Sequence, residues 1–260
     1  MNQYHRLLIS NRGLGEFKAR PMGDDSATIY LYDSIVGNDL EAELFGGVGP
    51  EQFARTVAGV KAATLNLRVN SPGGSVFAAR TMAQALKDFP GKVVAHVDGL
   101  AASAASFLIM AADEIVMAEG SFLMIHNAWS IALGNADGLR QEADLLDAID
   151  NSLVKTYAKR TGVAKEEIRA MMSAETWLEA DEAVAKGFAN SMVDADVQAC
   201  KQWDLSAYKN APATQAKAEV SEVDDEDVTP EETTGQLNEH DMRKRRIDLA
   251  RRALLTRLTD

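Results

Sequence analysis

The order of hydrophobic patterns constrains this chain more than any other feature. Residues 28–32 (TIYLY) form a β-branched and aromatic run, and residues 64–69 (TLNLRV), 92–97 (KVVAHV), 114–117 (EIVM) and 122–125 (FLMI) repeat the strand signature. Between them, residues 50–63 place Phe53, Val57 and Val60 on one helical face, and residues 76–89 return to helical periodicity. Residues 101–112 read as an apolar helix rich in small side chains. A long helix is expected over 137–160, with shorter ones over 165–172 and 180–186. Strands alternating with helices predict an α/β domain with a largely parallel sheet, because each parallel pair needs a long crossover.

Charge separates this body from the C-terminal fifth of the chain. The 260 residues carry 27 Lys/Arg against 39 Asp/Glu, a net charge of −12. So acidic a chain lacks the basic footprint of a general nucleic-acid binder. The single cysteine, Cys200, excludes an internal disulfide framework, and no Cys/His cluster has zinc-site spacing. The N-terminus has no long apolar run of the signal-peptide kind, and the longest uncharged apolar stretch, 99–112, is too short to span a bilayer. A cytoplasmic globular protein is expected. Residues 219–232 hold eight acidic residues and no basic one, whereas 241–260 hold seven Lys/Arg against three acidic residues. The organisation expected is an N-terminal segment (1–27), a folded domain (28–200), an acidic disordered linker (201–240) and a basic amphipathic helix (241–260).

Three pieces of the body could carry chemistry. Asn70-Ser71-Pro72-Gly73-Gly74 joins a strand to a helix, and its glycines leave backbone N–H groups uncovered for an anion or oxyanion. Taken alone it favours a tight strand-to-helix turn. The stretch from Asp98 to Ser106 (DGLAASAAS) ends a strand and opens a helix of tiny residues, where a serine hydroxyl would stay accessible beside a helix N-terminus. Its bland alternative is close packing on a sheet, with Ser103 and Ser106 as filler. His126 ends the apolar run FLMI, and a serine needs an adjacent base. His5 and His240 lie in terminal segments and His96 sits inside a strand, which leaves His126 as the base candidate.

Together and in this order, NSPGGSVFAARTMAQAL, VDGLAASAASFLIMAAD, FLMIHNA and ETWLEADEAVAKGFAN resemble the proteolytic subunit of the Clp protease. The sequence looks closest to the phage branch of that family, the Clp-related head maturation (prohead) proteases. The likeness runs over residues 28–194. It implies the Clp/crotonase-like spiral of β-β-α units, with a largely parallel sheet and a protruding helical segment. It also implies that Ser103 is the nucleophile and His126 the base. The acid of the family falls on Glu175, two residues before Trp177, where the family usually has Asp; Asp181 and Asp194 are the rivals. The oxyanion hole falls on the backbone N–H groups of Gly73 and Ala104, although Ala104-Ala105 stands where the family usually has Met-Gly. Gly74, Ser75 and Trp129 fall beside an extended substrate strand.

The resemblance further implies a serine endopeptidase without metal or cofactor, acting on protein or peptide substrates such as capsid or scaffold protein. A ring-shaped homo-oligomer is expected, in the host cytoplasm or the assembling prohead, with neither nucleic acid nor membrane as partner. Two alternatives stand beside it: a housekeeping Clp-type subunit working with an ATPase, and an acyl-CoA enzyme of the crotonase group, which shares the spiral fold. A Ser–His pair favours the peptidase, since crotonases do not use that nucleophile and base.

Overall fold

The computed structural model describes residues 3–21, 25–194 and 203–212. The chain order is α1 (Gln3–Ser10), β1 (Glu16–Pro21), β2 (Ser26–Tyr32), α2 (Asp39–Phe45), α3 (Pro50–Ala58), β3 (Thr64–Ser71), α4 (Val76–Lys87) and β4 (Lys92–Ala102). Then come α5 (Ala104–Ile109), β5 (Glu114–Ala118), β6 (Phe122–Ile125), α6 (Ala136–Thr161), α7 (Lys165–Ser173), β7 (Thr176–Glu179), α8 (Ala180–Ala185) and β8 (Ser191–Val193). The sheet runs β1-β2-β3-β4-β5-β8, with β6 joined to β4 and β7 joined to β6. Only β1–β2 and β6–β7 are antiparallel among the described pairs, so the α/β, largely parallel architecture expected from the patterning is present.

Alternation along the strands decides which face is covered. Leu65, Leu67 and Val69 of β3 and Val93, Ala95 and Val97 of β4 are buried in the core with Phe53 and Val57 of α3 and Met82 and Leu86 of α4. The residues between them point to the opposite, polar face, where Arg68 pairs with Asp98, Asp98 accepts from the Tyr32 hydroxyl, and His96 meets Asn66. Helix ends follow local chemistry. Ser75 caps α4 by accepting from Ala78 N, Asn135 caps α6 by accepting from Gly138 N, and Gly162 ends α6 at φ 76°.

The long strand β4 is the element that makes a site possible. Its first half pairs with β3 and β5, and its end, Leu100 to Ala102, pairs with β6 instead. The β3 register slips between Val69 and Ser71, where Ser71 meets Ala101. This is why the apolar helix expected over 101–112 begins only at Ala104: Ala101 and Ala102 are still sheet residues, paired with Leu123 and Met124. The helix α6 has two unlike halves. Ile149, Leu153, Val154 and Tyr157 bury its C-terminal half, whereas its N-terminal half stands out from the body.

The boundaries of the folded unit are wider than the sequence suggests. The N-terminal segment supplies α1 and the edge strand β1, and Leu7 and Leu8 are buried. Residues 203–212, assigned by composition to the linker, are packed: Trp203, Leu205, Ala207 and Tyr208 form a buried cluster with Leu7, Leu100, Ala102 and Met124. Four large or apolar side chains at close spacing outweigh the polar composition around them. The rest of the linker and the basic helix over 241–260 lie outside the described residues. Among the described residues no helix is long and apolar enough to cross a membrane.

Candidate active site

Sheet register places the three expected side chains. Ser103 follows β4 and His126 follows β6, and the parallel pairing of Ala102 with Met124 sets them side by side. Ser103 N donates to Met124 O at 2.9 Å, and Ser103 Oγ lies 2.7 Å from His126 Nε2. Glu175 precedes β7, whose antiparallel pairing of Ile125 with Thr176 brings it across from His126.

Ser103 has φ 55° and ψ −120°, a left-handed conformation that ordinary residues avoid. This is a sharp strand-to-helix turn that pushes the hydroxyl out, as in the nucleophile elbow. The small neighbours Ala102, Ala104 and Ala105, all buried, permit the chain to pass so closely. Ser106 is more than filler: its hydroxyl donates to Ser103 O at 2.7 Å and contacts the buried Tyr157 hydroxyl at 2.9 Å, tying the turn to α6.

The Gly73-Gly74 turn lies against the same elbow. Gly73 has φ 90°, and a Cβ there would collide with the Ala102 carbonyl and lie 3.1 Å from Ala104 N. A side chain is therefore excluded, and the Gly73 backbone stays next to the Ala104 N–H. Gly73 N–H leans on Ser71 Oγ at 3.2 Å, a long contact that a developing oxyanion would outcompete. The other edge of the turn is fixed, since Ile35 N donates to Gly73 O and Ser75 N donates to Ile35 O, both at 2.8 Å.

Burial lowers the His126 pKa to about 4, because the charged imidazolium loses hydration; the nearby Glu175 charge pulls it back only in part. At neutral pH His126 is a neutral imidazole, able to take a proton from Ser103. Of the three candidate acids, Glu175 is the one whose charge reaches His126. Asp181 lies in the first turn of α8 and accepts from Glu182 N, while Asp194 follows β8 at the sheet edge. Glu175 does not, however, hydrogen-bond His126. Its carboxylate accepts from Trp177 Nε1 at 3.3 Å, Lys209 N at 3.1 Å and Asn210 N at 2.6 Å.

In front of the pair opens a cavity of about 420 Å³, lined by Ser103, Ala104 and His126 and walled by Val76, Phe107, Leu146, Ile149 and Leu153. Gly74, Ser75 and Trp129 line it as well, so the residues expected beside a substrate strand meet here. Tyr4 of α1 reaches the same rim, edge-on to Trp129 at 6.3 Å and bonded to Glu41 at 2.8 Å. Sequence reasoning missed Tyr4, Trp203 and Tyr208. The apolar spacing of WDLSAY was the available signal for the last two, obscured by the polar stretch around it. Among the described residues no group of three or more His, Cys, Asp or Glu converges on a metal position.

The proteolytic subunit 2 of the ATP-dependent Clp protease from Mycolicibacterium paratuberculosis is 26% identical over 132 residues, covering 50% of this chain and 66% of that protein. The corresponding subunit from Deinococcus radiodurans is 26% identical over 132 residues, with 50% and 65% covered. The matched stretch thus spans just under two thirds of each relative's length. The structure of a ClpP1 mutant from Listeria monocytogenes superposes with a TM-score of 0.54 at 20% identity, over 65% of this chain and 92% of that one, and so shares the fold. The family model of the Clp protease matches residues 58–196, more than half of the sequence and the stretch that carries Gly73, Ser103, His126 and Glu175; the chain belongs to the Clp protease family.

Proposed function

We propose that this protein is a serine endopeptidase. The observation that carries the reading is the 2.7 Å contact of Ser103 Oγ with His126 Nε2, made on an elbow backbone at the mouth of an apolar cavity. His126 takes the Ser103 proton as Oγ attacks a peptide carbonyl lying along Gly74 and Ser75. The N–H groups of Gly73 and Ala104 bind the tetrahedral oxyanion. His126 then protonates the leaving amine, and water hydrolyses the acyl-enzyme through the same base. Glu175 supplies the negative charge that favours the imidazolium formed in transit.

The natural substrate we assign is a capsid or scaffold protein, processed during phage head maturation. The resemblance of the four motifs to that branch supports it. A second reading, a proteolytic subunit serving an ATPase partner, is favoured by the names of both bacterial relatives. A ring of copies is common to both readings. Exposed apolar residues on and before the projecting half of α6 support it: Leu133 is 98% exposed, Ile131 55%, and Leu139 and Leu145 46% each.

Co-expression of the wild type and Ser103→Ala with candidate capsid and scaffold proteins, together with mass mapping of cut sites, tests the reading. Cleavage by the wild type alone is expected. Cleavage retained in Ser103→Ala removes the nucleophile assignment. Cleavage of generic unfolded protein only with an added ATPase would favour the second reading.

A further inference from the structure

The back of the Ser103–His126 pair is closed by a strap, residues 203–212, that touches Asn70, Pro72, His126, Ala174 and Glu175. Trp203 Nε1 donates to Asn70 Oδ1 at 3.0 Å, the Tyr208 hydroxyl donates to Pro72 O, and Asn210 Nδ2 donates to Ala174 O at 2.9 Å. Lys209 N and Asn210 N hold the Glu175 carboxylate. Tyr208 is 7% exposed, and its ring meets His126 edge-on, with centroids 5.5 Å apart and planes at 89°. Trp177 also packs edge-on against Tyr208, with centroids 5.8 Å apart.

His126 has an orientation problem that this strap addresses. A catalytic imidazole must present one chosen nitrogen, and a carboxylate on the other nitrogen ordinarily holds it there. Among the described residues the ring's one hydrogen bond goes to Ser103, and Glu175 is engaged elsewhere. A ring held only by its reaction partner would swing as soon as that partner is acylated. The Tyr208 ring stands edge-on against the imidazole, in position to oppose such a swing. The strap is not a plug, because none of residues 203–212 lines the cavity in front of Ser103.

We infer that Tyr208 is a positioning residue of the peptidase site, pinned through its hydroxyl to the Pro72 carbonyl so that its ring keeps His126 Nε2 aimed at Ser103 Oγ. This rests on the serine-peptidase reading. It assigns a role in turnover to a residue beyond the stretch matched to the family, which ends at residue 196. It also predicts which kinetic constant responds. Tyr208 lies behind the reacting pair, so kcat falls while KM, set in the cavity, does not.

The test uses the full chain as wild type, Tyr208→Phe and Tyr208→Leu. The readouts are kcat and KM on a fluorogenic peptide, the second-order rate of Ser103 labelling by a fluorophosphonate, and Tm. Tyr208→Phe keeps the ring and loses the anchor, and kcat should fall about 3- to 10-fold; Tyr208→Leu loses both and should fall about 100-fold, the scale of a small misplacement in a reacting centre. Labelling should fall in parallel, with KM within about twofold of wild type. If Tyr208→Leu does not fold, Tyr208→Phe carries the comparison. Unchanged kcat and labelling in the folded variants, with a lower Tm alone, would overturn the inference in favour of a packing role. A raised kcat would overturn it too, by showing that the strap restrains the site. A wild type that neither cleaves nor labels would instead overturn the peptidase reading, and the inference with it.

Discussion

On its cavity side the Ser103–His126 pair looks into an apolar recess walled by Val76, Phe107, Leu146 and Ile149, whereas on its other side it is closed by Tyr208, Trp177 and Trp203. The front is built wholly within residues 58–196, the stretch matched to the family, apart from the rim supplied by Tyr4, Gly37 and Glu41. The back depends on both ends of the described chain, since Asn11 of the N-terminal region exchanges hydrogen bonds with Asp204 at 2.7 and 2.9 Å and Gln3 bonds Ala207 O. On the peptidase reading the front admits the substrate, and it is open and apolar. The back must hold charged and reactive groups still and is therefore hydrogen-bonded. Changes at the front should act on oxyanion and substrate binding, and changes at the back on stability and orientation.

The largest effect that would break this division belongs to Gly73. Gly73→Ala drives a Cβ into the Ala102 carbonyl and displaces the donor beside Ala104. Turnover should fall by about 10² to 10³, the usual cost of one oxyanion donor, and Tm should fall too, because the added side chain meets backbone at a φ of 90°. Turnover retained in the folded variant would show that the turn is chiefly structural.

At the back, Trp203→Ala removes a nearly fully buried indole and leaves Asn70 Oδ1 without its donor. Denaturant unfolding should show a loss of about 3–5 kcal/mol. A loss below about 1 kcal/mol, typical of a surface change, would mean that the strap does not belong to the cooperative unit.

Glu175→Gln tests the carboxylate that faces both sides. A triad acid bonded to its histidine costs about 10⁴ when neutralised. Here Glu175 acts on His126 through its charge alone, so a smaller fall of about tenfold is expected. Asp181→Asn and Asp194→Asn should leave kcat/KM within about twofold. If either exceeds Glu175→Gln, the acid lies elsewhere.

The mildest test is pH. The pKa of His126 is lowered in the folded protein from 6.5 to about 4, so between those values the unfolded chain binds the extra proton and stability falls as pH drops. Activity needs the neutral base, so the acid limb of kcat/KM should be half lost nearer pH 4 than 6.5. A limb at 6.5 would mean that the imidazole is hydrated, and hence that the back is open.

Much of the front was legible before folding. The alternating runs located strands β2 to β6, and the glycines of NSPGG together with the tiny residues around Ser103 marked backbone that must pass close to something. Local rules suffice there, because φ preferences and small side chains act over a few residues. The back was not legible. WDLSAYKN sits in a polar stretch, and its value as core depends on Leu7, Asn11 and Asn70, which are far away in sequence. The elements α1, β1, α2, β7 and β8 also lay outside the sequence reading, being short or held by partners on other strands.

The sequence by itself determined the α/β class, and through the resemblance of its motifs to the Clp family it marked Ser103, His126 and Glu175 as candidates. The class arises from periodicity that each residue carries with it. Only the tertiary structure decided that β4 leaves β5 for β6 and so brings Ser103 within 2.7 Å of His126. It alone decided that Glu175 is held by backbone N–H groups from residues 209 and 210, and that Tyr208 stands against the imidazole. Such contacts come from long-range register and burial, which no local stretch of the chain encodes.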